Sequence, residues 1–397
     1  MTPAAAPLDG ITVLDLSRVL AGPYCTMLLG DMGARVIKIE QPGRGDDTRH
    51  WGPPFVGGES AYFLSVNRNK ESVALDFKQP ASRPVLDALL ARADVLVENF
   101  RVGVMDRAGL GYDAVRERHP RLIYCSITGY GRTGPRAREA GYDAVTQAES
   151  GLMSITGTEG GEPVRMGIAI ADIVAGMYAA QGVLLALVAR QRTGRGQLVD
   201  IGMLDAAASV LTYQASAYFA TGTPNTRLGN RHPSIAPYNT FATADGMLVL
   251  AVGNDDQWQR FCRIADLPEA AADARYRTNA GRVEHYGALE PVLKTVMATR
   301  TNAAWIAALR EAGVPAGAVR DMAEALADPQ IEARGMIARV DHEAQRALRL
   351  LGIPVKLSET PGSVRTPPPA LGEHTAKILK ELGLSAPGAE SPSSGRP

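Results

Sequence analysis

Apolar residues follow two rhythms along this chain. In the first 130 positions they gather in short, almost unbroken runs: 11–17 (ITVLDLS), 34–40 (ARVIKIE), 72–77 (SVALDF), 94–100 (DVLVENF) and 121–131 (RLIYCSITGYG). Between them lie GPYCTMLLGDMG, PASRPVLDALLARA and GYDAVRERHP, which have helical composition. Near-continuous Val/Ile/Leu runs separated by helices predict a parallel sheet covered on both faces, an α/β unit.

The second rhythm is one long apolar stretch. From Gly167 to Ala189 only Asp172 and Gln181 interrupt it. It predicts a helix that starts at Asp172, runs to about Arg192 and lies buried in the core. Residues 196–222 read as a strand and then a helix. Residues 223–246 are dense in Pro, Gly, Asn and Thr, the composition of a linker or long loop. A second unit follows, with a strand at GMLVLAV and helices around Trp258 and Trp305; 352–375 reads as an extended return and AKILKELGL as a short helix. The expected division is a large domain over 1–222 that carries Asp172, a small domain with its linker over 223–330, a return to the large domain over 331–385, and a disordered tail over 386–397.

In open parallel sheets, ligands collect where loops leave the carboxyl ends of the strands. Those loops hold Arg18, Lys78, Arg101, Arg107, Arg132 and Arg136, a set that suits a small anion. Lys plus Arg and Asp plus Glu balance at 42 each, which argues against nucleic acid as a partner. The apolar stretch is long enough to span a bilayer, but its Asp, its Gln and its many small residues favour a core helix, so no membrane role is expected. Cys25, Cys125 and Cys262 form no CxxC pair, and MTPAAAPLDG has no basic or apolar leader region; a reduced, cytoplasmic protein is expected.

Several chemistries find no motif. The chain has no GxxxxGK[ST], GxSxG or HExxH, and its six histidines show no ligand spacing. No GxGxxG follows the first strand, although the strand order looks Rossmann-like. Neither a metal site nor a serine triad is expected. Asp172 remains, a carboxylate that is costly to bury unless something pairs with it or uses it. Two readings are open. It caps a helix start, where free N–H groups and the positive helix end favour a carboxylate. Or the same environment keeps it ionised for nucleophilic attack. Gly176, at i+4, leaves space for a ligand on this reading, and the Gly-rich SITGTEGGEP (154–163) is a flexible cover and a candidate oxyanion donor.

Read in order, LDGITVLDLSRVLAGPYCTMLLGDMGARVIKIEQP, NRNKESVALDFK, VLVENFRVGVMDRAGLGYD, SITGYGRTGP, GIAIADIVAGMYAAQGVLLAL, TGRGQLVDIGMLDA and LGEHT resemble the family III CoA-transferases over about residues 8–384. The resemblance implies a Rossmann-like large domain, a smaller inserted α/β domain and an interlocked homodimer. It implies an acyl-CoA and a small carboxylic acid as partners, with coenzyme A as substrate and no tightly bound cofactor.

The same resemblance puts Asp172 at the catalytic aspartate, which forms an aspartyl anhydride and then an aspartyl-CoA thioester. Val19, Leu20, Ala21, Leu75, Lys78, Asn99, Phe100 and Arg107 fall at CoA-binding positions, and Tyr142, Asp143 and His232 at the substrate pocket. Leu20 stands where the formyl branch has glutamine, and Gln41 where it has arginine, so Arg44 is a possible replacement. The family's α-methylacyl-CoA racemases, the alternative activity, carry a histidine near position 142; here Tyr142 takes its place. The Gly-rich loop of the formyl branch is missing between 223 and 260, and GNRHPSIAPYNTFATADG is similar to transferases of dicarboxylates. A donor such as succinyl-CoA is expected.

Overall fold

The computed structural model describes residues 5–342 and 345–385; the tail expected to be disordered, 386–397, lies outside them. The chain divides into two compact units. The second is built from Met153–Val164 and Ala217–Asp328, and the described residues on either side form the first. The second unit is thus discontinuous in sequence, where a single span over 223–330 was expected. Its early piece is the Gly-rich 154–163 stretch.

All five expected early strands form, joined by the one expected after residue 196. They are β1 (Thr12–Asp15), β2 (Arg35–Glu40), β3 (Lys70–Ala74), β4 (Val95–Glu98), β5 (Ile123–Thr128) and β6 (Leu198–Gly202). They make a six-stranded parallel sheet in the order β3-β2-β1-β4-β5-β6. The unbroken apolar runs are explained by burial on both faces. Val13, Val36, Val95, Val97, Ile123 and Cys125 face one core with helices α1 (Ala21–Asp31) and α5 (Ile170–Thr193). Their neighbours Leu14, Ile37, Leu96 and Tyr124 face the other, with α2 (Arg83–Leu90), α3 (Tyr112–Arg118) and the late helix α10 (Thr375–Leu382). Strand order reverses between β1 and β4, which opens a crevice at their carboxyl ends.

Helix α5 ends at Gly194, whose φ of +69° is the left-handed cap that glycine adopts readily. Its inner face packs on α1 and the sheet through Ala171, Ala175, Ala179, Val183 and Ala186. The expected core helix is buried on its inner face only, since Met177, Leu185 and Val188 on its outer side are 53%, 63% and 56% exposed. The sequence pattern is apolar all round, so it cannot show which face the sheet covers. Between β5 and α5 lies α4 (Asp143–Glu149), and after β6 comes α6 (Met203–Ser209).

In the second unit, β7 (Tyr238–Ala242), β8 (Met247–Ala251) and β9 (Ala316–Ala318) pair antiparallel in the order β9-β8-β7. Trp258 on α7 (Asp255–Ile264), Leu289 and Leu293 on α8 (Tyr286–Met297) and Trp305 on α9 (Asn302–Glu311) fill its core. Arg282 is fully buried there and donates to the Ala236 and Tyr276 carbonyls and to Asp255.

Candidate active site

The loop after β1 turns sharply. Val19 has φ of +70°, a left-handed conformation that strains a β-branched residue. Asp46 holds it there by accepting the Val19 N–H at 3.2 Å, and it also accepts Thr48 N–H and Lys38 Nζ at 3.0 and 2.9 Å. Lys38 Nζ donates in turn to the Ser17 carbonyl at 2.8 Å. Beneath the loop, Lys70 Nζ donates to Asp15, the Pro23 carbonyl and Asn67 at 3.2, 3.0 and 2.9 Å. All four charged side chains are buried. Burial raises the Asp15 carboxyl, but Lys70, Lys38 and the Ser17 and Thr26 hydroxyls together outweigh it and hold the group below its usual range; burial pulls Lys70 down to about 8. At neutral pH the network is ionised and internally paired.

This buried framework supports a crevice of about 120 Å³ at the ends of β1, β2 and β3, lined in part by Arg18, Gln41, Arg44, Leu75, Lys78 and Phe100. Asn99 clamps the β1 loop by accepting Arg18 N–H at 2.9 Å and donating to the Arg18 carbonyl at 2.7 Å. Phe100 packs on Phe77 with ring centres 5.2 Å apart, and the Arg18 guanidinium lies 5.4 Å from the Phe100 ring. Cations and aromatic faces in one crevice suit a ligand with phosphates at one end and a flat ring at the other. Gln41 and Arg44 both line it, and Arg44 pairs with Asp47 at 2.7 Å. Arg107 stands exposed on the short helix Val104–Arg107 and is not among the lining residues.

The other half of the site is the first turn of α5. Val19, Leu20, Tyr62, Ala169 and Ile173 form one apolar cluster. The β1 loop therefore packs against residues on both sides of Asp172. Asp172 lies in the first turn of a helix, as expected, but does not cap it, and α5 begins at Ile170. The capping acceptor is Asp143 on α4, whose Oδ1 takes the Ala171 N–H at 2.9 Å and the Asp172 N–H at 3.4 Å. Gln147 donates to its Oδ2 at 2.7 Å, so both oxygens of Asp143 accept hydrogen bonds within the protein. Burial, and then the Asp143 charge, push Asp172 up to about 7. The expectation that the helix start keeps Asp172 firmly ionised is thus corrected. A neighbouring carboxylate has taken the helix N–H groups and added a like charge. Burial, with Asp172, Asp143 and Asp46 nearby, pushes Tyr62 up to about 12.

Two further expectations change. Gly176 does not open space for a ligand: a Cβ there meets the Ala21 carbonyl at 2.6 Å, so the glycine serves close packing of α5 on α1. The 154–163 stretch is tied into the second unit, where Arg227 donates to the Gly161 and Ser154 carbonyls and Gly229 N–H to Gly157. His232 also lies in that unit and stacks on Tyr238 at 5.3 Å. Tyr142, at 66% exposure, precedes α4. Sequence reasoning missed Asp46, Tyr62 and the lysines of the network. The signal for Lys38 was there, since a Lys inside an otherwise apolar strand must find a partner.

Among the described residues no cluster of His, Cys, Asp or Glu suits a metal ion. A profile of CoA-transferase family III matches residues 8–375. The chain is 44% identical over 376 residues to the succinyl-CoA:glutarate CoA-transferase of Homo sapiens, covering 95% of this chain and 86% of that protein. It is 45% identical over 384 residues to the succinate–glutarate CoA-transferase of Agrobacterium fabrum, covering 95% and 96%. Among solved structures, a CaiB/BaiF family protein from Brucella suis superposes with a TM-score of 0.85 at 42% identity, over 95% of this chain and all of the other (100%).

Proposed function

The chain belongs to CoA-transferase family III, and from that premise we propose that it moves CoA from succinyl-CoA to a small dicarboxylic acid through Asp172. One observation carries the residue assignment: the strained β1 loop and the first turn of α5 share a single apolar cluster around Asp172. The acyl-CoA lies along the crevice, with Lys78 and Arg18 toward its phosphates, and its thioester reaches Asp172. Arg44, at the rim, supplies the contact that Gln41 cannot.

The ionised Asp172 oxygen attacks the thioester carbonyl carbon. The C–S bond breaks, CoA leaves as thiolate, and a succinyl–aspartyl anhydride remains. The thiolate attacks the Asp172 carbonyl, releases succinate and forms an aspartyl-CoA thioester. The acceptor carboxylate displaces thiolate to give a second anhydride, and thiolate attack on the acceptor carbonyl yields the new acyl-CoA and frees Asp172. Splitting one exchange into steps of this kind is what a nucleophile contributes. Each tetrahedral stage needs donors for its oxyanion. Because Asp143 occupies the Ala171 and Asp172 N–H groups, those donors come from elsewhere.

The exposed apolar side of α5 supports a homodimer, and the family resemblance supports an interlocked one in which the second unit forms the inserted domain. His232 and Tyr142 are assigned to the acceptor pocket in that assembly. Three buried free cysteines are in keeping with a reducing, cytoplasmic setting. Racemisation of an α-methylacyl-CoA is disfavoured by Tyr142, which cannot supply the second base.

The test is incubation with succinyl-CoA and a panel of mono- and dicarboxylates including glutarate, with the new acyl-CoA identified by mass. Asp172→Ala abolishes exchange while the circular dichroism spectrum is kept, and hydroxylamine traps an adduct on the wild type alone. Undiminished exchange by Asp172→Ala overturns the assignment.

A further inference from the structure

Asp172 faces an unusual set of neighbours. From α4 comes the Asp143 carboxylate, and from the segment 61–66 the Tyr62 phenol. Arg165, just before α5, turns to the Met166 carbonyl. Among the described residues no ion pair joins Asp172 to Lys, Arg or His. Asp143, by contrast, is fully provided for. It accepts two helix N–H groups and the Gln147 amide, and Gln147 is itself fixed by accepting Met166 N–H at 2.8 Å and donating to the Ile168 carbonyl at 3.2 Å.

We propose that Asp143 is a positioning residue for the nucleophile: it fixes the first turn of α5 through the Ala171 and Asp172 N–H groups and sets its own carboxylate beside that of Asp172. The inference rests on the reading of Asp172 as the nucleophile. Its chemical sense is that a carboxylate beside another ionised carboxylate is more basic, and a more basic oxygen attacks a thioester faster once it is deprotonated. The cost is that a larger fraction is protonated, and idle, on the acid side of neutrality. The hydrogen bonds secure the asymmetry. Three donors converge on Asp143, whereas among the described residues no cation pairs with Asp172.

Asp143→Asn removes the charge while its amide oxygen still accepts the Ala171 N–H, at the cost of the Gln147 bond to Oδ2. The expected result is a several-fold lower kcat at pH 8, a near-unchanged KM for succinyl-CoA, and an acid limb of the kcat/KM profile moved down by about one pH unit. The ratio of variant to wild-type activity therefore rises as the pH falls, which a merely structural loss does not produce. Asp143→Glu restores the charge and moves the limb back. Equal loss for Asp143→Asn at every pH overturns the inference. If that variant does not fold, infrared difference spectra of wild type against Asp172→Asn at pH 6 decide the matter. A protonated carboxyl band present only in the wild type supports the inference, and its absence overturns it. An inactive Asp172→Ala with parallel Asp143→Asn profiles removes this inference alone, whereas an active Asp172→Ala removes the assignment of the nucleophile.

Discussion

Burial acts on both Asp15 and Asp172, yet the outcomes are opposite. At the end of β1, each buried charge meets a partner. Lys70 has three acceptors, Asp46 bridges Lys38 to the strained loop, and Asp15 also takes the Thr26 hydroxyl at 2.6 Å. At the start of α5, the nearest charge has the same sign. The first arrangement builds a rigid floor for a ligand; the second leaves one carboxyl poised near 7, where it gains and loses a proton under working conditions. Compensation marks the scaffold, and its absence marks the reacting group.

The largest effect is expected where compensation is removed. Asp15→Ala leaves Lys70 and Lys38 facing a lost counter-ion in a dry site, a cost of about 3–5 kcal/mol by chemical denaturation. A double variant, Asp15→Leu with Lys70→Met, removes both charges and is expected to recover most of that loss. A change for Asp15→Ala no larger than that of a surface substitution breaks the contrast.

Asp172 carries the opposite sign. Its folded pKa of about 7 lies well above the usual carboxyl range, so the native state binds its proton more tightly. The stability linked to that proton is present below pH 4 and is lost as the pH rises through 7. Asp172→Asn is therefore expected to gain on the wild type between pH 5 and pH 8, by up to a few kcal/mol, in denaturation midpoints followed across pH. Equal midpoints at both pH values mean that the carboxyl is not strained by burial.

The sheet was legible because both of its faces are buried, which writes each strand as an apolar run whose alternate residues, such as Val13 and Leu14, go to opposite cores. Helix α5 was legible in length but not in orientation, because Met177 outside and Ala175 inside look alike in a string of letters. The partners of Asp172 were out of reach for another reason. Asp143 is 29 residues away, and only the packing of α4 against α5 brings it to the helix N–H groups. Gly176 was read as space for a ligand because a missing side chain leaves no trace of what fills the gap. Gly176→Ala tests the corrected reading. A Cβ 2.6 Å from the Ala21 carbonyl forces the two helices apart at a cost of about 1–3 kcal/mol, seen as a lower Tm. An unchanged Tm with a raised KM for succinyl-CoA restores the ligand reading.

The smallest effect belongs to the crevice mouth. Lys78 is exposed, lies 5.9 Å from the Phe77 ring and has no ion pair among the described residues. Its charge is therefore available to a phosphate, but water and salt screen it. Lys78→Ala is expected to raise KM for succinyl-CoA about three- to ten-fold at low salt, and less as the ionic strength approaches that of ~0.15 M buffer. It leaves kcat and the acid limb of the pH profile in place, because the residue belongs to the floor and mouth of the crevice rather than to the carboxylate pair. Arg18 beside Phe100 is the control. It already pairs with Asp47 at 3.0 Å, so its removal also frees Asp47 and is expected to disturb KM with a different salt dependence. If Lys78→Ala instead shifts the acid limb, charge at the mouth reaches Asp172, and the two regions are one electrostatic system rather than two.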